Sequence, residues 1–153
     1  DIDNVKISST KIRKALSEGE IELVNAYLGH PYFLKGKVVD GMKLGSKIGF
    51  PTANIDFSVE NKLVPKYGVY AVWVDLQGVR YKGMLNVGVR PTVNNDNSNP
   101  SIEVNIFGDV GNIYQEELQV IFEKRIRDEI SFRNVEELKA QLEKDKLAVE
   151  NAI

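Results

Sequence analysis

The chain has 153 residues, of which 42% are hydrophobic and 27% charged, so it suits one globular domain of ordinary size. Its net charge of -2 gives no broad electrostatic footprint for nucleic acid or acidic membranes. It has no cysteine and a single histidine, His30, which excludes disulfides and metal sites rich in cysteine or histidine. We therefore expect the acid or base of any enzyme built on this sequence to be a carboxylate or a lysine. The lack of cysteine suits a cytoplasmic protein.

The N-terminal part predicts two short helices. Ser9 or Thr10 can cap the first helix, and Ser17 and Glu20 have the spacing of a capping box before "IELVNAYL". Gly29 predicts the end of the second helix.

From Tyr32 the sequence changes to short β-rich segments separated by turn residues. In chain order they are "YFLKGKVV", "TANIDF", "GVYAVWVDL", "VRYKGMLNVG", "SIEVNIF" and "ELQVIFEKRI". This series predicts a small antiparallel barrel. Gln77 and Gly78 predict a hairpin turn, whereas "SVENKLVPKYG" and "VNNDNSNPS" predict mobile loops, the second of which could be a lid.

The C-terminal segment "NVEELKAQLEKDKLAVENAI" predicts a helix that packs against the barrel. Asn134 can cap it, with Glu137 three residues later. An apolar stripe would face the barrel, formed by Val135, Leu138, Leu142 and Val149.

The stretch "DGMKLGSKIGFPTAN" combines evenly spaced glycines with two lysines. Its glycines could keep a loop open so that backbone N–H groups face phosphate, and Lys43 or Lys47 would add positive charge. Pro51 biases the chain to an extended conformation, which puts Thr52 and Asn54 on one face of the next strand. Two neutral oxygens can suffice for Mg²⁺ when ATP supplies other ligands. Taken alone, however, the spacing favours an ordinary turn before a strand.

The strand "SIEVNIF" has an apolar and a polar face. Ile102, Val104 and Ile106 alternate with Glu103 and Asn105. A lone strand glutamate is more often a solvated surface residue. Beside bound MgATP, the same carboxylate could accept the proton of an attacking hydroxyl.

Four motifs, "GMKLGSKIGFPTAN", "NVGVRPT", "IEVNIF" and "RDEISF", occur in this order and resemble the riboflavin kinase domain of bacterial bifunctional riboflavin kinase/FMN adenylyltransferases (FAD synthetases). The resemblance runs roughly from Leu28 to the C terminus. It implies a mainly β fold, a six-stranded antiparallel Greek-key barrel with a C-terminal helix. It also implies conversion of riboflavin and ATP into FMN and ADP with Mg²⁺.

The resemblance implies roles for residues around the phosphates. Glu103 matches the catalytic carboxylate, and Thr52 and Asn54 match the positions that bind Mg²⁺ and nucleotide. Gly41 and Lys47 match positions in the phosphate loop.

Other residues match the two ends of the site. Tyr114 falls where the family lines its adenine-nucleotide site, and Arg127 and Phe132 match flavin-pocket positions, with the main chain near Ile130 between them. Asn86 in "NVGVRPT" is given no role. Alternatively, Arg127 could pair with a neighbouring acid of its motif, Phe132 could belong to the core, and Tyr114 could be an ordinary strand aromatic.

The resemblance also predicts the domain organisation. Residues 29–153 would form the kinase domain, and residues 1–28 would be linker helices and a remnant of the adenylyltransferase domain, whose missing part we expect as a partner from the same parent chain. "ISSTKIR" is similar to the closing motif of that domain, but the histidine motif needed for nucleotidyl transfer is missing. The chain begins with Asp and looks like an excised fragment, so we expect it to make no FAD.

Two other functions are compatible with a small barrel. One is a flavin-binding barrel without catalysis, which would need neither Glu103 nor MgATP. The other is an OB-like nucleic-acid module, against which the acidic balance and the lack of an aromatic and basic stripe argue.

Overall fold

The computed structural model describes residues 9–40, 49–58, 62–89 and 100–153. Two helices come first, then six strands and a C-terminal helix, in the predicted order: α1 (Ser9–Ser17), α2 (Ile21–Leu28), β1 (Phe33–Asp40), β2 (Ala53–Asp56), β3 (Gly68–Leu76), β4 (Val79–Gly88), β5 (Ser101–Ile106), β6 (Glu117–Arg127) and α3 (Val135–Ala152). The predicted phosphate-loop residues Gly41, Lys43 and Lys47, and most of the predicted lid loop, lie outside the described residues.

The six strands form a closed antiparallel barrel in the order β1-β2-β5-β4-β3-β6, which confirms the predicted fold. β2 pairs with β5 rather than with the next strand in the chain, as in a Greek-key connection. The predicted hairpin turn joins β3 to β4, with Gln77 at φ 53° and Gly78 at φ 81°. Side chains of alternating strand positions, such as Val72, Val74 and Leu85, fill the interior.

The helical hairpin α1–α2 shares this inner core. Leu16 and Val24 belong to the same buried cluster as the strand residues that point inward. Asn25 fixes α2 to the sheet: its Nδ2 donates to the Phe122 carbonyl at 2.9 Å and its Oδ1 accepts from the Tyr32 N–H at 2.7 Å. The hairpin is therefore packed as part of the barrel.

The ends of these helices correct one prediction. The capping box of Ser17 and Glu20 is wrong: Glu20 is the N-cap of α2 and makes no side-chain capping bond. α1 continues through Ser17, whose hydroxyl donates to the Lys14 carbonyl at 2.7 Å and so satisfies the end of α1 instead. Gly29 ends α2 as predicted, in the left-handed conformation with its N–H bonded to the Asn25 carbonyl at 2.9 Å.

The C-terminal helix α3 packs on the outside of the barrel against β3, β4 and β6. The predicted cap is confirmed, since Asn134 Oδ1 accepts from the Glu137 N–H at 2.9 Å. A second buried cluster, which includes Val149 and Met84, lies between α3 and the outer wall. Val135 is 43% exposed, so the predicted stripe does not hold in the first turn of the helix. In the described parts of the chain, no helix has the length and apolar character needed to cross a membrane.

Candidate active site

A row of polar side chains crosses three neighbouring strands. Glu103 on β5 lies opposite Asn54 on β2 and opposite Asn86 on β4. Since directly opposed residues of an antiparallel pair point to the same face, these three side chains share one side of the sheet. The row continues through Val69 on β3 to Arg127 on β6.

This row lies on the outer wall of the barrel. Ile102 and Val104 point into the inner core, so Glu103 between them points outward, as the alternation predicts. A cavity of about 270 Å³ opens between this wall, α3 and the segment after β6. It brings together five of the residues that the family resemblance selects: Thr52, Glu103, Arg127, Ile130 and Phe132.

A second cavity has a volume of about 280 Å³. It is lined by Pro51 to Ala53, by Val104 and Ile106, and by the loop after β5. Thr52 lines both cavities. Asn54 lines neither, although its strand partner Glu103 lines the larger one. Tyr114 also lines neither; it directly follows the lining residue Ile113 and is 51% exposed.

Asn105 holds the start of β2 in place, a role that the sequence does not reveal. It is 5% exposed and lines the larger cavity, and its Nδ2 donates to the Pro51 carbonyl at 2.6 Å. A buried amide needs such a partner. Because Pro51 precedes Thr52, this bond fixes the backbone beside the proposed cation ligand.

A one-residue bulge at the end of β6 sets the direction of Arg127. Tyr70 lies opposite Arg125, but its neighbour Val69 lies opposite Arg127, which leaves Ile126 as the extra residue. On a regular strand the two arginines would share a face. With the bulge, Arg125 lies over the ring of Tyr70 in the inner core, whereas Arg127 turns toward α3.

The two arginines hold the first residue of the segment after β6. Arg125 Nη1 lies 2.8 Å from Asp128 Oδ1, and Arg127 Nη1 donates to the Asp128 carbonyl at 2.9 Å. The hydrogen bond from Arg125 lowers the pKa of Asp128 below its ordinary value. Arg127 thus meets the backbone of the adjacent acid, whereas its carboxylate partner is Asp145 on α3, which the sequence did not suggest.

The motifs "NVGVRPT" and "RDEISF" meet at this cavity. A Cβ atom on Gly88 would lie 2.5 Å from Oε1 of Glu129, so the absence of a side chain at Gly88 allows the carboxylate to pack against the end of β4. Glu129 and Asn86, one from each motif, both line the cavity.

The donors near Glu103 are suited to a hard cation. Within residues 9–40, 49–58, 62–89 and 100–153, no group of three or more His, Cys, Asp or Glu side chains could hold a metal ion. The Thr52 hydroxyl and the Asn54 amide oxygen are instead neutral hard donors, the kind that Mg²⁺ accepts when phosphate and water complete its shell.

Comparisons with known proteins place the chain in a family. The family model "Flavokinase: Riboflavin kinase" matches residues 28–153. The bifunctional riboflavin kinase/FMN adenylyltransferase of Bacillus subtilis is 46% identical over 92% of this chain and 45% of its own length. That of Listeria monocytogenes is 48% identical over 92% of this chain and 44% of its own length. The chain thus spans less than half the length of these relatives.

Solved structures share the fold. The crystal structure of a macrolide-efflux protein from Streptococcus pneumoniae has a TM-score of 0.87 and 36% identity over 99% of this chain and 49% of its own. A riboflavin kinase from Trypanosoma brucei has a TM-score of 0.57 and 26% identity over 79% of this chain and 76% of its own. The family model, the bacterial relatives and the fold confirm the resemblance carried by the four motifs, and the chain belongs to the riboflavin kinase family.

Proposed function

We propose that this chain transfers the γ-phosphoryl group of ATP to the 5′-hydroxyl of riboflavin, giving FMN and ADP. One observation carries the proposal: a single cavity joins Thr52 and Glu103 to Arg127, Ile130 and Phe132. Family membership supports the same two substrates. Phosphoryl transfer requires mainly positioning and charge stabilisation, both of which this arrangement of residues can supply.

The two ends of the cavity have different chemistry. Phe132 and Ile130 offer apolar surface for a flavin ring at the end that α3 covers, and Arg127 adds polar N–H groups there. Holding the ring would let the flexible ribityl chain extend along the wall toward Glu103 and Thr52. The second cavity, which shares Thr52, would receive the nucleotide, with Tyr114 near its rim.

Thr52 and Asn54 would hold Mg²⁺ together with the phosphates of ATP. Both residues offer neutral oxygens, and Asn105 fixes the backbone next to Thr52. When bound, the cation neutralises charge on the phosphate oxygens.

Glu103 would orient the 5′-hydroxyl and accept its proton. In a loose transition state the hydroxyl loses its proton late, so an ordinary ionised carboxylate is a sufficient base. The position opposite Asn54 and Asn86 puts this carboxylate beside the proposed cation site.

Incubation with riboflavin, ATP and Mg²⁺, followed by chromatography, tests the proposal. We expect FMN and ADP in equal amounts, and neither product without ATP. The rival function, a flavin-binding barrel without catalysis, predicts that riboflavin binds while no ADP is released. That result in a folded preparation would reject the kinase.

The bacterial relatives are named as FMN adenylyltransferases as well as riboflavin kinases. This chain covers only 44–46% of the length of those proteins. We propose that residues 1–28 are linker and adenylyltransferase remnant, and that the adenylyltransferase domain of the same parent chain is the partner. FMN and ATP should therefore give no FAD with this chain. Formation of FAD by a clean preparation would contradict this assignment.

A further inference from the structure

Asp145 is a buried carboxylate on the helix that covers the cavity. It is 2% exposed and lines the cavity. Arg127 donates to it from two nitrogens: Nε lies 2.9 Å from Oδ1, and Nη2 lies 2.8 Å from Oδ2. Gln141, one turn earlier on α3, donates from Nε2 to Oδ1 at 2.9 Å. Hydrogen bonds from three nitrogen atoms, two of Arg127 and one of Gln141, thus hold the carboxylate in a fixed orientation.

Stability alone does not explain this pair. Burying two charges costs desolvation energy that their attraction often fails to recover, and apolar residues of similar size usually stabilise such a site as well. The neighbouring outer cluster is apolar and includes Leu142 and Val149 of the same helix. A charged pair in this position therefore calls for a different explanation, such as fixing one geometry.

The remaining end of the guanidinium indicates which geometry is fixed. Arg127 Nη1 donates to the Asp128 carbonyl at 2.9 Å. Asp128 begins the segment 128–132, and Ile130 and Phe132 of this segment line the cavity. The chain of contacts runs from α3 through Asp145 and Arg127 to the backbone that carries these two residues.

We propose that Asp145 is a positioning residue for riboflavin: it holds the guanidinium of Arg127, which fixes the start of the segment 128–132 and so shapes the flavin end of the cavity. This inference rests on the proposed function for the identity of the ligand. It assigns Asp145 no contact with the phosphates or with the reacting hydroxyl.

The test replaces Asp145 by Asn, which keeps the size of the side chain and one oxygen acceptor. It removes the negative charge and one of the two oxygens that accept hydrogen bonds from Arg127. We expect the KM for riboflavin to rise about tenfold, while kcat and the KM for ATP change by less than about threefold. Titration of riboflavin fluorescence with protein should show a similar rise in Kd without ATP. Asp145→Glu should recover part of the affinity, since it restores the charge.

A control comes from another arginine–aspartate pair, which has the same two-nitrogen geometry but is more exposed. Arg80 binds Asp75 through Nε at 2.7 Å and Nη2 at 2.9 Å, on the β3–β4 hairpin and away from the lining of both cavities. Asp75→Asn should leave the KM for riboflavin unchanged. If Asp145→Asn behaves like this control, or lowers the melting temperature without changing riboflavin affinity, its role is only structural and the proposal is wrong.

A double-mutant cycle tests whether Asp145 acts through Arg127. In an Arg127→Met background, Asp145→Asn should produce less than about a twofold further change in riboflavin Kd. Fully additive effects would overturn the proposal.

A second variant serves if Asp145→Asn fails to fold. Gln141→Leu keeps both charges and removes one hydrogen bond to the Asp145 carboxylate, so we expect a two- to threefold rise in the Kd for riboflavin. No change in this Kd would refute the proposal.

The two proposals fail in distinguishable ways. If the chain is not a riboflavin kinase, the unmodified protein makes no FMN. If only the role of Asp145 is wrong, the unmodified protein makes FMN and Asp145→Asn binds riboflavin as tightly as Asp75→Asn does.

Discussion

At the scale of single residues, the role of Glu103 can be tested without disturbing the barrel. Glu103→Gln keeps the shape of the side chain but removes the proton acceptor, so kcat should fall by roughly a hundredfold to ten-thousandfold with smaller changes in KM. Glu117→Gln is the control, because Glu117 is an exposed glutamate on β6. Steady-state assays of ADP release measure both variants. Near-normal turnover of Glu103→Gln would reject the assigned role.

Thr52 allows a sharper substitution pair. Thr52→Ala removes the hydroxyl proposed to bind Mg²⁺, so the enzyme should need a higher Mg²⁺ concentration and show a KM for MgATP raised about tenfold or more. Thr52→Ser keeps the hydroxyl and should stay within about threefold of the unmodified enzyme. Titration of Mg²⁺ at fixed ATP distinguishes the two variants. An identical Mg²⁺ dependence in both would exclude the hydroxyl as a ligand.

The sequence could predict some site residues and not others. Alternation along "SIEVNIF" puts Glu103 on the outer face whatever the partner strands are, because side chains on a strand alternate. Asp145 could not be found in this way. It lies in a charged helical segment where an exposed aspartate is the normal expectation, and only the fold brings Arg127 to it.

At the scale of elements, the cap of α3 has a measurable effect on stability. Asn134→Ala removes the bond to the Glu137 N–H and should lower the free energy of unfolding by about 1 kcal/mol. Asn151→Ala, at an exposed position in the last turn, is the control and should change it by less than about 0.5 kcal/mol. Urea denaturation followed by circular dichroism measures both. Equal effects would show that the cap contributes nothing specific.

The elements themselves follow closely from local patterns. The intervals of β3 and β4 match the predicted segments because the turn residues Gln77 and Gly78 delimit them. The capping box at Ser17 is wrong because Ser17 belongs to the last turn of α1, where its hydroxyl donates to the Lys14 carbonyl. The bulge at Ile126 also went unpredicted, since it depends on the register between β3 and β6 rather than on any local residue type.

At the scale of the whole molecule, the described residues form two buried clusters with different consequences. The inner cluster fills the barrel and includes α1 and α2, whereas the outer one lies between the barrel wall and α3, beside the larger cavity. Changes in the inner cluster should therefore alter stability much more than ligand affinity, except at Ala53, Val104, Ile106 and Ile113, which also line the second cavity. Changes along α3 should alter both.

The inner cluster leads to a test of whether the helical hairpin and the barrel unfold as one unit. Leu16 in α1 is 3% exposed within the barrel core, so Leu16→Ala should lower the free energy of unfolding by about 2–5 kcal/mol. Trp73 on β3 is the sole tryptophan and reports on the barrel by fluorescence, while circular dichroism at helical wavelengths reports on the helices. Because both share one core, the two urea transitions should coincide and shift together in the variant, with the KM for riboflavin unchanged in the folded protein. If Leu16→Ala moves the loss of helical signal to lower urea while the tryptophan transition stays in place, the hairpin is a separate unit resting on an independently stable barrel.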